Sequence, residues 1–156
     1  MIFKNFNFFI FLSFLSLIND INSVTPDQAL SSLKEGNAQY IKGRISCPES
    51  IAKERKQFAT IQHPFAIILG CSDSRVSPEL LFNKLGLGNL FVIRNAGNVV
   101  DDVVAGSIEY GVKHLNSPLI MVLGHERCGA VTAAVDLKTN PVKIDHNIKA
   151  IVNKII

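Results

Sequence analysis

At 156 residues the chain has the length of one domain, enough to bury a sizeable core but too little for two. With 47% hydrophobic residues, 19% charged residues and a formal net charge of +3, it lacks the basic runs and interleaved aromatics of a nucleic-acid surface. Charge therefore singles out no partner, and nucleic acid is not an expected one.

The chain opens on "MIFKNFN", with one lysine and no acid, followed by the almost wholly apolar Phe8–Ile18. That run is too short to span a bilayer comfortably. With the polar stretch ending at Asn22-Ser23 it predicts a secretory signal peptide over residues 1–23, although Ile21 is a poor residue three before the cut. The mature domain is then 24–156, periplasmic or secreted and free of the membrane after cleavage; left uncleaved, the same segment would anchor it.

The first helix of the mature chain has a written start: Thr25 as N-cap, Pro26 at the first position and Gln28 completing a capping box. Leu30, Leu33, Tyr40 and Ile41 are expected on one face, and Gly43 ends the helix. A second, weaker helix is expected over Glu49–Ile61. The pattern then changes to strands and helices in alternation. Phe65–Leu69 reads as a buried strand, Ser77-Pro78 to Gly86 as a helix, and Leu90–Ile93 as the second strand. A helix over Asp102–Leu115 and a third strand, Leu119–Leu123, follow, and another helix starts near Cys128. Strands so continuously apolar, separated by helices, predict a parallel sheet covered on both faces. The last stretch, Asp145–Ile156, carries Ile148, Ile151, Val152 and Ile155 at helical spacing.

Cys71 follows the first strand after a single glycine and His125 follows the third in the same way, so both stand at carboxyl ends of parallel strands. Ligand sites of open α/β sheets lie there, where the strand order reverses. If strands one and three are neighbours, with strand two on the far side of strand one, Cys71 and His125 face each other, and Cys128 is one turn away. A helix N-terminus at Cys128 favours the thiolate that binds metal. Two thiolates and an imidazole suit zinc, and three protein ligands leave a fourth position for water, the count of a catalytic site. Taken alone, Cys71 reads as an ordinary turn residue and H-x-x-C is weak; their joint placement carries the inference. Asp73 and Arg75 are close enough to pair in the same loop. Two roles are open to Asp73: held by Arg75 it accepts a hydrogen bond from zinc-bound water, and released it becomes a fourth ligand that closes the site.

Cys71-x-Asp73-x-Arg75 after a strand, "RNAGN" (Arg94–Asn98) and "GHERCGAV" from Gly124 together resemble the β-class carbonic anhydrases, as do "SIEYGVKHL" and "PLIMVLGH". The resemblance runs from the "ALSSLKEGNAQYIKG" helix to about Asp136. It implies zinc on Cys71, His125 and Cys128, an Asp73–Arg75 dyad, and reversible hydration of carbon dioxide to bicarbonate and a proton by zinc-bound hydroxide, with no organic cofactor. Gln62 matches a glutamine that hydrogen-bonds substrate beside the zinc in some members. The family also implies a homodimer or higher homo-oligomer. Members usually continue for several tens of residues beyond Ile156, so the expected fold is α/β, a parallel β-sheet core flanked by helices, β-carbonic anhydrase-like and lacking the C-terminal part. Alternatives are a hydrolase of another small linear substrate, carbonyl sulfide or carbon disulfide, and an inactive zinc-binding fragment. His63, His114 and His146 are not expected ligands, and Cys47 is an odd thiol. A Cys71–Cys128 disulfide is the rival to a metal site in an exported chain.

Overall fold

The computed structural model describes residues 23–140 and 143–156, so the expected signal peptide lies, but for Ser23, outside the described residues. In chain order the elements are α1 (Pro26–Ile41), α2 (Ile51–Gln57), β1 (Ala66–Cys71), α3 (Pro78–Leu81), β2 (Leu90–Asn95), a 3-10 turn at Ala96–Asn98, α4 (Asp102–Lys113), β3 (Ile120–Leu123), α5 (Gly129–Thr139) and α6 (His146–Ile155). Among the described residues no helix is long and apolar enough to cross a membrane.

The three strands form one parallel sheet in the order β2-β1-β3. β1 is central because it is the most apolar: Ala66, Ile67, Ile68 and Leu69 are all buried, and a strand paired on both edges must offer apolar side chains to both faces. Each such side chain removed from water contributes about 1.5–3 kcal/mol. Ile68 pairs with Val92 and Met121, on the side where Leu33 of α1 and Phe82 close the core. Ile67 pairs with Phe91 and Ile120 on the other side, where α4 lies across it.

Two of the strands, β1 and β2, end in polar residues that the apolar pattern did not include. β1 runs on through Gly70 and Cys71, and β2 through Arg94 and Asn95, because the ladder continues in register, Gly70 opposite Arg94 and Cys71 opposite Asn95. Coverage is incomplete on one side of β3, where Ile120 is 46% and Val122 63% exposed, while α4 packs over β1 and β2.

The helices differ from expectation at their ends. The Thr25–Gln28 capping box forms, with Thr25 N–H donating to Gln28 Oε1 at 2.8 Å, and Gly43 adopts φ 69 just past the helix. The buried face of α1 is Ala29, Leu33 and Gly36, however, while Tyr40 and Ile41 are exposed. Gly36 explains the rotation: α1 sits so close to α3 that a Cβ there would lie 1.8 Å from the Phe82 carbonyl oxygen. α2 is limited to Ile51–Gln57, capped by Ser50. α3 stops after Leu81 because Asn83 turns left-handed at φ 52. α6 buries Val152 and lays Ile155 over the 3-10 turn.

Candidate metal centre

The strand order brings the two loops together. β1 delivers Cys71 and β3 leads through Gly124 to His125, side by side at the carboxyl edge of the sheet. Arg127 then takes a left-handed conformation, φ 54, which turns the chain sharply into α5 with Cys128 as its N-cap. That turn points two side chains three residues apart back at Cys71.

The ligand atoms of Cys71, His125 and Cys128 all lie within 4.8 Å of one another. Cys71 Sγ and Cys128 Sγ are 3.9 Å apart, both residues are buried and both thiols are free. A disulfide needs its sulfurs at about 2 Å, whereas two thiolates on one tetrahedral zinc stand about 3.8 Å apart. His125 completes the case through its tautomer. Its Nδ1 donates to the Glu126 carbonyl at 2.9 Å, so the proton sits there and Nε2 keeps a bare lone pair. Nε2 is buried and has no hydrogen-bond partner. A lone pair buried without a donor is costly, and a cation among the two sulfurs is the partner it fits. Among the described residues this is the only cluster of three or more metal-binding side chains, and its donor set suits zinc.

Charge in the site is tuned by its neighbours. Burial pushes the Cys71 thiol up, but hydrogen bonds from the Gly97 and Asp73 amides and from Cys128, together with the neighbouring His125 ring, outweigh it and bring the thiol down to about 7. The adjacent Cys71 sulfur raises His125 above its ordinary value. The Arg75 guanidinium holds the Asp73 carboxyl well below the usual carboxylate range, and the same pairing raises Arg75. The pair is bidentate, Nε to Oδ1 at 2.9 Å and Nη2 to Oδ2 at 2.6 Å, and the Arg75 amide also donates to Oδ1 at 2.9 Å. Arg75 Nη2 reaches the Arg127 carbonyl at 3.3 Å, tying the two loops together. Asp73 Oδ2 lies 4.0 Å from His125 Nε2, so the carboxylate borders the cluster while its oxygens are engaged by arginine. An open cleft of about 340 Å³ lined by Arg75, Val76, His125, Glu126 and Arg127 adjoins it.

Five of the six residues singled out from sequence are thus brought together, and Gln62 is not. It lies before β1, at the amino end of the sheet, and lines a separate cleft of about 570 Å³ with Phe58, Leu90 and Tyr110. The length of β1, about 16 Å for six residues, separates that end from Cys71. His63 and His114 are likewise outside the cluster, as are His146 and the exposed Cys47. Sequence reasoning missed two contributors. Arg94 Nε and Nη2 donate to the Cys71 and Asp73 carbonyls, and the Gly97 amide donates to Cys71 Sγ at 3.4 Å. The signal was present in "RNAGN", a charged residue and a glycine directly after the apolar run of β2.

A family model described as carbonic anhydrase matches residues 66–156. Carbonic anhydrase 2 of Mycobacterium tuberculosis is 50% identical over 113 residues, covering 72% of this chain and 54% of that protein. A carbonic anhydrase of Mycolicibacterium smegmatis is 47% identical over 110 residues, covering 70% and 53%. Among solved structures, a Coccomyxa β-carbonic anhydrase in complex with acetazolamide superposes with a TM-score of 0.59 at 35% identity, over 80% of this chain and 55% of that one. The chain spans about half the length of the curated relatives it matches.

Proposed function

Since the chain belongs to the β-class carbonic anhydrase family, we propose that it catalyses the zinc-dependent, reversible hydration of carbon dioxide to bicarbonate and a proton. The observation that carries this reading is the buried Cys71–His125–Cys128 cluster, with sulfurs at 3.9 Å and an unpartnered His125 Nε2. Zinc held there supplies a Lewis acid that lets water react as hydroxide near neutral pH.

The chain's own residues would do the rest. Cys71, Cys128 and His125 Nε2 would hold the ion, and the Glu126 carbonyl keeps His125 in the tautomer that leaves Nε2 free. Asp73, kept ionised by Arg75, has no proton to give, so it acts only as an acceptor. Its place beside the cluster lets it orient the attacking water by taking one hydrogen bond, leaving a lone pair for the carbon of CO₂. Arg75 fixes that carboxylate and keeps it from becoming a fourth ligand. Rapid mixing of the purified, zinc-loaded chain with dissolved CO₂ and a pH indicator is the direct test. Acid release above the uncatalysed rate, lost on chelation, is expected; a folded, zinc-loaded chain that releases none overturns the reading.

Asp73→Asn separates binding from turnover. The amide keeps the shape but presents a donor where only an acceptor serves, so we expect zinc stoichiometry to hold while hydration falls by about 10²-fold. Equal activity in the variant would remove Asp73 from the reaction.

We also infer a homo-oligomer and export. Val122, Ile120 and Val103, at 63, 46 and 77% exposure, are apolar surface of the kind that self-association covers, and sedimentation velocity is expected to show a dimer or larger species. A boundary at the mass of one chain at all concentrations would refute this. For export, N-terminal sequencing of protein recovered from outside the cytoplasm should begin at Val24, whereas an intact Met1 in that fraction would show an uncleaved anchor.

A further inference from the structure

The segment Arg94–Asn98 holds none of the cluster's ligand atoms, yet it reaches the cluster at three points. Arg94 Nε donates to the Cys71 carbonyl at 2.9 Å and Nη2 to the Asp73 carbonyl at 2.7 Å. One half-buried guanidinium thus grips the main chain on both sides of Ser72 and fixes the span between the sulfur ligand and the carboxylate. Asn95 closes a tight turn, donating from Nδ2 to the Val99 carbonyl and accepting the Val99 N–H at Oδ1, both at 2.8 Å. Inside that turn Gly97 takes φ 76 and aims its N–H at Cys71 Sγ, 3.4 Å away.

The turn is also packed in place. A Cβ on Gly97 would lie 2.9 Å from Ile155 Cδ1 and 3.0 Å from Ala130 Cβ, so α5 and α6 press on it from outside. Only glycine meets both the left-handed backbone and the close packing. A polar segment this constrained, with two donors on carbonyls and one on a sulfur, does more than connect β2 to α4.

We propose that Arg94–Gly97 is a positioning element for the metal centre: Arg94 sets the place of Cys71 through the main chain, and the Gly97 amide sets its donor strength through a hydrogen bond to the sulfur. This rests on the metal reading of the cluster. A hydrogen bond to a thiolate draws on the lone-pair density that would otherwise go to the metal, so its removal makes the sulfur a stronger donor and an easier one to oxidise. Partners of this kind typically change metal affinity by roughly 10–100-fold.

The test uses the full chain loaded with cobalt(II), whose spectrum reports both geometry and sulfur donation. In one protein the Gly97 amide N–H is replaced by an ester oxygen through glycolic acid at position 97, which keeps the size and the turn and deletes only the donor. The sulfur-to-cobalt charge-transfer band is expected to move to lower energy while the visible bands of a tetrahedral site persist. In the second, Arg94→Gln is expected to weaken cobalt binding by roughly 10–100-fold, with partial recovery in Arg94→Lys. A glycine needed only for the turn would leave the charge-transfer energy unmoved. An unmoved band together with affinities within about two-fold of the parent overturns the proposal while the metal reading stands. A parent chain that binds no cobalt overturns both.

Discussion

Cys71→Ser is expected to strip the zinc from the chain while leaving it folded. Cys71 sits at the end of the central strand, buried, with its sulfur 3.9 Å from Cys128 Sγ and facing a hydrogen-bond donor from Gly97. Serine has nearly the same shape, so the ladder from Gly70 through Ser72 is undisturbed and circular dichroism should not change. The hydroxyl remains protonated where the thiol titrates near 7, so the site loses an anion as well as a soft donor. With the total binding free energy of zinc sites spread over three or four ligands, one ligand is worth about 3–4 kcal/mol, a loss of about 10²–10³-fold in affinity. Dialysis against a competing chelator followed by metal analysis measures it: near one zinc per parent chain and close to none in the variant, with hydration lost in parallel. Retention of zinc within about ten-fold of the parent affinity would remove Cys71 from the ligand set.

Gly36→Ala should be the most damaging small substitution outside the metal centre. In a helix interior the exchange ordinarily stabilises by about 1 kcal/mol. Here the added carbon would lie 1.8 Å from the Phe82 carbonyl oxygen and 2.7 Å from its carbon, both main-chain atoms with no rotamer to adopt. α1 has to lift off α3, which opens the core around Leu33 and Ile68. A net loss of about 3 kcal/mol follows, or about 10 °C in Tm. Gly111→Ala is the control. Its nearest obstacle, at 2.6 Å, is the Ile67 Cδ1 methyl, a side-chain end that can shift, so the loss is smaller. A thermal melt of Gly36→Ala matching that of Gly111→Ala would show that the contact with Phe82 yields more easily than this geometry implies.

The order of elements and the grouping of Cys71, His125 and Cys128 were legible because each depends on local pattern. Apolar runs mark the three strands, and Thr25, Ser77 and Pro78 mark helix starts that the structure keeps. The polar residues of the site were legible because they follow strands at once, and the sheet order placed Cys71 beside His125 as expected. What escaped depends on contacts between distant segments. The face that α1 buries is set by the approach of Phe82 to Gly36, forty-six residues away, and not by the apolar side chains Tyr40 and Ile41. Gln62 precedes Cys71 by nine residues, yet an intervening strand carries it to the opposite end of the sheet. The roles of Arg94 and Gly97 are main-chain hydrogen bonds, which side-chain chemistry does not advertise.

The central position of β1 also governs the timing of assembly during synthesis. Cys71 leaves the ribosome 57 residues before Cys128, and at about 5–20 residues per second the first sulfur waits about 3–11 s for the second. β2 can pair with β1 during that interval, but β3, which brings His125 alongside, comes last. The nascent chain therefore spends seconds with Cys71 made but neither His125 nor Cys128, and completion of the metal site is necessarily a late event of folding.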